Sequence, residues 1–223
     1  MYRNTFLSVM FLACCFNGSL CAQSDAQIYE RTCDAKTYPF SDPSPVATPN
    51  NSYYPYFRFD GFSMQAQEKQ WKMVVLENDY VKLTVTPEIG GKIWGAIDKV
   101  NNKEFVYTNG VVKFRDVAMR GPWTSGGIEF NFGIIGHAPT CSTPIDYLTK
   151  KNVDGSVSCH IFSYEWITRT VWNVEINLPK DKAYFTTHTT WFNQSSIDQP
   201  YYQWMNAGYA TKTGTRFYYP AHM

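Results

Sequence analysis

Apolar and polar residues alternate with a period of two through most of the patterned segments of this chain. Between residues 81 and 86, valine and leucine alternate with lysine and threonine, and similar segments recur up to residue 192. This is the period of a half-buried β-strand. No stretch of ten or more residues repeats its apolar residues with the spacing of an amphipathic helix. The sequence therefore predicts an all-β fold built from antiparallel sheets.

Turn residues divide the alternating segments into short strands. Gly90-Gly91 opens a strand, and Asn101-Asn102 turns the chain into the next one at 104–107. Strands that follow one another so closely form an antiparallel meander. Longer strands are predicted at 157–164, 166–178 and 183–192.

The first 22 residues have the pattern of a secretory signal peptide. One positive charge precedes an apolar run from Phe6 to Phe16, and small residues follow it. The run is too short to span a bilayer, so we expect cleavage beside Cys21, Ala22 or Gln23. A lipid anchor on Cys14, Cys15 or Cys21 is disfavoured, because none of the three has a convincing combination of a leucine upstream and a small residue immediately before it. The predicted location is periplasmic or extracellular.

The charge of the chain excludes two classes of partner. The formal net charge is +1, only 17% of residues are charged, and no run of lysine or arginine exists. Nucleic acids and anionic membranes both require concentrated positive charge, so neither is an expected partner. Aromatic residues make up 17% of the chain, a content that suits sheets and carbohydrate sites equally.

Cysteine use predicts neither a disulfide framework nor a metal centre. Cys33, Cys141 and Cys159 belong to the expected mature chain, so at most one disulfide can form within it. No Cys-x-x-Cys pair or spaced His/Cys set indicates zinc. We expect no metal and no cofactor.

The sequence divides into three parts. After the signal peptide at 1–22, residues 23–70 are polar, turn-rich and aromatic, and are interpreted as a lead-in segment that lies across a sheet. Partial disorder of this segment is the alternative. Regular patterning begins at Trp71, which predicts one sandwich domain over residues 71–223.

A glycine-punctuated segment at 120–139 holds most of the candidate site residues. Glu129 and His137 are the predicted proton carriers, and Arg120, Trp123 and Asn131 the predicted sugar-binding residues. A carboxylate and an imidazole can move protons, an indole can stack on a sugar ring, and arginine and asparagine bind hydroxyl or carboxylate groups. Glycines between Glu129 and His137 could bend the backbone so that both side chains enter one cleft. A bulged loop that satisfies only its own backbone is the alternative.

Two further candidates lie near the end of the chain. Trp204 and Asn206 share one face of a predicted strand and could stack on a sugar ring and bind its hydroxyls. The alternative is that a large aromatic side chain in a sheet packs in the core.

Three spaced motifs carry a family resemblance over about 71–223. They are the turn Pro87-Glu88-Ile89-Gly90-Gly91, the pair of segments 127–131 and 136–139, and the later segments 202–207 and 219–221. The first resembles the opening strands of galactose-mutarotase-like domains, and the others resemble the DUF5107 family. The resemblance implies a β-supersandwich of antiparallel sheets with a carbohydrate cleft. It also implies tetratricopeptide repeats after the domain, through which protein partners could bind.

The chain departs from this pattern in two ways. A complete supersandwich needs more strands than fit before Met223, and the helical repeats are missing, so the chain is expected to be truncated at its C-terminus. Mutarotases use a histidine as their general acid, and the segment Trp204-Met205-Asn206 has no histidine beside it. The resemblance therefore does not extend to mutarotase activity itself.

Three functional hypotheses follow. The first is an exported carbohydrate-active protein, either a glycoside hydrolase or an epimerase-like enzyme. The second is a non-catalytic carbohydrate-binding or assembly domain that keeps the cleft without the chemistry. A lyase with a tyrosine or histidine base is the third. A second carboxylate opposite Glu129 would favour hydrolysis, and the sequence offers Glu88, Asp116, Asp146 and Glu165 without placing them.

Overall fold

The structure, a computed structural model, describes residues 24–40, 61–116, 122–133 and 137–219. The predicted signal peptide and much of the aromatic lead-in lie outside these ranges. The described residues form a short 3-10 helix, Pro139–Ser142, and fourteen strands: β1 (Gln27–Tyr38), β2 (Gln67–Glu77), β3 (Val81–Thr86), β4 (Lys92–Asp98), β5 (Lys103–Val106), β6 (Val112–Lys113), β7 (Arg115–Asp116), β8 (Pro122–Trp123), β9 (Ile128–Phe132), β10 (Asp146–Lys151), β11 (Val157–Glu165), β12 (Thr170–Leu178), β13 (Thr186–Asn193) and β14 (Gln203–Ala207).

Two sheets form the predicted all-β sandwich. The larger has eight strands in the order β14-β9-β4-β3-β2-β1-β6, with β5 beside β4, and the smaller has the order β10-β11-β12-β13. Apolar residues from both sheets meet in one core, in which Phe132 stacks on Trp172 at a centroid distance of 4.4 Å. Burial of this apolar surface is the main stabilising contribution to such a sandwich.

Strand alternation gives the large sheet a second, chemically different face. On β9, Ile128, Phe130 and Phe132 enter the core, so Glu129 and Asn131 point to the opposite face. A second apolar cluster lies away from the main core and includes Trp71, Met73 and Trp94 from β2 and β4 together with two residues from 112–114. The candidate polar residues therefore lie on the face of the large sheet that is turned away from the sandwich core.

The lead-in differs from the expectation in one respect. Its residues Gln27–Tyr38 form β1, which pairs antiparallel with β2 from Gln27↔Glu77 to Thr37↔Gln67. Most side chains of β1 are exposed on both faces, and for this reason its sequence lacks the alternation that marks the other strands. This part of the lead-in is therefore a strand of the large sheet.

The predicted strand at 166–178 also begins later than expected. The chain turns at 166–169, where Arg169 has a φ of 56°, and β12 starts at Thr170. The Glu165 carboxylate accepts hydrogen bonds from the backbone N–H groups of Ile167 and Thr168, so it stabilises this turn. Trp166 lies in the turn and is exposed.

A close backbone approach joins β4 to β9 and so positions Glu129. Ile93 of β4 pairs with Ile128 of β9, and Gly127, directly before β9, has a φ of 70°. A Cβ atom at position 127 would overlap the carbonyl oxygen of Ile93. Only glycine can adopt this positive φ and also allow the Ile93 carbonyl oxygen to come this close without strain.

Within the ranges that the structure describes, no helix has the length and apolar character needed to cross a membrane.

Candidate functional site

Two neighbouring strands bring most of the candidate residues together. In the antiparallel pairing of β9 with β14, Asn206 lies opposite Glu129 and Trp204 lies opposite Asn131. Residues directly opposite each other in such a pair project from the same face. Four residues that sequence analysis singled out in two distant segments thus share one face of the large sheet.

Glu129 and His137 are in direct contact. Their closest atoms, Glu129 Oε1 and His137 Nδ1, are 2.6 Å apart. The Glu129 side chain is 3% exposed and that of His137 is 16% exposed. β9 ends at Phe132, and the next residue, Gly133, has a φ of 109°, which favours glycine. The pair therefore has a buried acidic member and a basic member that solvent reaches.

Two asparagine side chains hold the same carboxylate oxygen. Nδ2 of Asn131 donates to Glu129 Oε1 at 2.9 Å, and Nδ2 of Asn206 lies 3.4 Å from it. The Oδ1 atom of Asn131 in turn accepts the backbone N–H of Ala138 at 2.8 Å. The network ties the loop that carries His137 to β9, and this fixes the position of the imidazole.

Two indole rings flank the imidazole. The Trp204 ring centroid lies 4.8 Å from that of His137 with an interplanar angle of 70°, and that of Trp123 lies 6.0 Å away at 63°. The Nε1 atoms of both tryptophans, and Oε2 of Glu129, are buried without a hydrogen-bond partner among the described residues. Buried polar atoms are usually satisfied, so this concentration of unsatisfied atoms is typical of a site that receives a ligand or water.

Lys92 is a member of the site that sequence analysis missed. It is 1% exposed, and its Nζ donates to the carbonyl oxygen of Thr124 at 2.7 Å and to the Thr124 hydroxyl at 3.1 Å. Burial lowers the pKa of Lys92, while the negative charge of Glu129 opposes this shift. The sequence did contain a signal, because Lys92 stands alone between Gly91 and the apolar segment of β4. A lysine that is buried in such a place usually has a counter-charge near it.

Cys141 completes the surroundings of the carboxylate. Burial raises the pKa of the Cys141 thiol well above its usual range, and the charge of Glu129 adds to this effect. A thiol in this state is a poor nucleophile and a poor metal ligand. None of Cys33, Cys141 and Cys159 forms a disulfide. Among the described residues, no group of three or more His, Cys, Asp or Glu side chains is arranged to hold a metal ion.

Two of the carboxylates that the sequence offered make their hydrogen bonds elsewhere. Arg120 lies outside the described residues. Glu165 is engaged in the turn after β11, and Glu88 accepts the backbone N–H of Lys72. Cavities of about 390 and 370 Å³ lie elsewhere, and Glu129 and His137 line neither. A ligand that reaches this site therefore meets the partly exposed imidazole and indoles first, and the carboxylate only behind them.

The fold and the site define the class of protein. It is an all-β sandwich whose large sheet carries, on its outer face, a buried carboxylate paired with an imidazole between two indoles.

Comparison with known proteins places this chain in a family. Residues 48–223 match the family described as "Domain of unknown function (DUF5107)", so the chain belongs to that family. The fold is similar to that of a TPR-domain containing protein from Parabacteroides distasonis ATCC 8503, with a TM-score of 0.75 and 26% sequence identity. The similarity covers 83% of this chain and 32% of that one, so this chain spans about a third of the length of that protein.

Proposed function

We propose that this is an exported carbohydrate-active protein that binds a saccharide over His137, Trp123 and Trp204. One observation carries the proposal: the Glu129–His137 pair lies between two indoles, and unsatisfied polar atoms of Glu129 and both tryptophans accompany it. Indoles suit the apolar faces of sugar rings, and the imidazole of His137, whose side chain is 16% exposed, suits a hydroxyl group.

A proton-transferring enzyme of the epimerase or glycoside hydrolase kind is the leading form of this proposal. An imidazole in contact with a carboxylate can take a proton from a hydroxyl group and return it to another oxygen. Most glycoside hydrolases use two carboxyl groups, so hydrolysis by that mechanism would require a second carboxylate near Glu129. A non-catalytic carbohydrate-binding or assembly domain is the second form, and the low exposure of the Glu129 carboxylate favours it.

Probing a glycan array with the purified protein tests whether it binds a saccharide. The glycans that retain the protein are then assayed as substrates for turnover. Glu129→Gln keeps the shape of the side chain and removes its charge. An enzyme should lose turnover by at least about 100-fold and retain binding, whereas a binding module should change little. Glu175→Gln is the matched control, since this half-exposed carboxylate lies on the small sheet, 3.8 Å from the imidazole of His160. Failure of wild-type protein to retain any glycan would contradict the proposal.

Export and partner binding belong to the same proposal. The apolar run at 6–16 favours a mature chain that begins near residues 22–24. Mass spectrometry of secreted protein should find that terminus, and an intact Met1 or a lipidated cysteine would contradict it. The TPR domain named for the similar structure suggests that protein partners act together with the saccharide site.

A further inference from the structure

The hydrogen bonds around Glu129 assign different roles to the two members of the pair. We infer that His137 is held as the Nδ1–H tautomer, that its bare Nε2 is the proton acceptor of the site, and that Glu129, Asn131 and Lys92 are positioning residues. The tautomer follows from the contacts of the described residues. Its use in accepting a proton from a saccharide hydroxyl group rests on the proposed function.

The backbone N–H of Ala138 fixes the orientation of the Asn131 side-chain amide. The N–H of Ala138 can only donate, so the Asn131 atom that accepts it at 2.8 Å is the side-chain oxygen. The other end of the Asn131 amide is then the NH2 group, and it donates to Glu129 Oε1 at 2.9 Å. This contact fixes Oε1 as an acceptor.

Because Glu129 Oε1 is an acceptor, His137 Nδ1 must be the donor in the contact between them. Asn206 Nδ2 is a second donor to Oε1, at 3.4 Å, so little room remains for a proton on this oxygen. At 2.6 Å from Oε1, Nδ1 must therefore be the atom that carries the hydrogen. In a neutral imidazole with hydrogen on Nδ1, Nε2 holds the lone pair.

Lys92 supplies the charge that this arrangement requires. A buried carboxylate without a counter-charge would favour the protonated form. Ile93 of β4 pairs antiparallel with Ile128 of β9, so Lys92 and Glu129 are neighbours across these two strands, and the charge of Glu129 opposes the lowering of the Lys92 pKa by burial. The Lys92 ammonium is held by two bonds to Thr124 and is buried, so it cannot move out to solvent without breaking them.

Nε2 is the ring nitrogen that does not contact Glu129, on a side chain that is 16% exposed. Nε2 makes no hydrogen bond to any described residue and is not among the buried unsatisfied atoms. A hydroxyl group over His137 would lose its proton to Nε2: the O–H bond breaks and leaves its electron pair on the oxygen, the Nε2 lone pair forms the N–H bond, and the imidazolium is stabilised by Glu129. Glu129 then acts through His137 without touching the ligand.

Nitrogen NMR tests the assignment without any ligand. The chain has four histidines, so His160, His188 and His222 are each replaced by Gln, which leaves His137 as the only imidazole. At a pH of about 8.5, at which an ordinary imidazole is neutral, long-range proton–nitrogen spectra should show a pyrrole-type Nδ1 and a pyridine-type Nε2. A pyrrole-type Nε2 would overturn the inference.

Two substitutions at Glu129 distinguish the effect of its hydrogen-bond acceptor oxygen from the effect of its negative charge. Glu129→Gln still offers an oxygen to Nδ1–H and should keep the tautomer, whereas Glu129→Leu offers none and should give a mixture of both tautomers. An unchanged spectrum in Glu129→Leu would also overturn the inference. The expected spectra in a protein that retains no glycan would contradict the proposed function and leave the tautomer assignment standing, so the two failures are distinguishable.

Discussion

At the scale of single residues, the site is unusual because it buries charge. Lys92 and Glu129 are 1% and 2% exposed, although charged side chains are rarely buried to this degree. Burying charge costs free energy even when the charges are balanced, so a sandwich that needed only stability would favour apolar residues here. The retention of both groups is consistent with a role in binding or proton transfer.

Lys92 gives the folded protein a measurable pH dependence. Burial lowers its pKa below 10.5, so in the interval between the folded value and 10.5 the unfolded chain binds this proton more strongly. The free energy of unfolding should therefore rise with pH through this interval and level off above it. Denaturant unfolding at a series of pH values should show the rise in the wild type and not in Lys92→Met.

Two variants check the cause of that rise. Glu129→Gln removes the charge that raises the pKa of Lys92, so the rise should begin at a lower pH. Lys151→Met, at an exposed position of β10, should leave the profile unchanged. Identical profiles for the wild type and Lys92→Met would show that Lys92 is not a buried cation.

At the scale of elements, the approach of β4 to β9 is the step on which the site depends. Gly127→Ala should destabilise the fold by at least about 2 kcal/mol, because the new Cβ meets the Ile93 carbonyl oxygen and the φ of 70° is strained for alanine. Chemical denaturation measures the loss. Gly110→Ala is the control, since an added Cβ there meets nothing within 4 Å, and it should be nearly neutral. Equal stabilities would mean that the two strands do not approach as described.

The sequence predicted the elements that alternate clearly and missed those that do not. The strands at 81–86 and 157–165 are half-buried, so their alternation is visible, whereas β1 is exposed on both faces and carries no such pattern. The convergence of Glu129 with His137 could be anticipated from the glycines between them. Lys92 could not be placed at the site, because it is brought to Glu129 by a contact between strands far apart in sequence.

At the scale of the whole molecule, the two sheets each end in a strand at the same edge of the sandwich. Gln203 Nε2 donates to Thr189 Oγ1 at 3.2 Å, and Trp191 stacks near Tyr201 at a centroid distance of 4.3 Å, so β14 and β13 adjoin there. Each pairs with a single strand among the described residues. Met205 lies opposite the core residue Phe130 but is 55% exposed.

This edge should make the 223-residue chain self-associate. Unpaired strand edges beside exposed apolar side chains are templates for pairing with other chains. Sedimentation velocity should show association that increases with protein concentration. Replacing Met205 and Phe192, both 55% exposed, with lysine should reduce it. A monomer at all concentrations with a sharp unfolding transition would contradict this expectation.

The most direct test of the saccharide site is to follow the tryptophan indole N–H signals during titration with a glycan retained on the array. The chain has seven tryptophans, and single substitutions assign the signals. The signals of Trp123 and Trp204 should shift with saturation, whereas that of Trp166, 59% exposed in the turn before β12, should not. Binding that leaves the Trp123 and Trp204 signals unchanged, or that shifts only Trp166, would contradict the account.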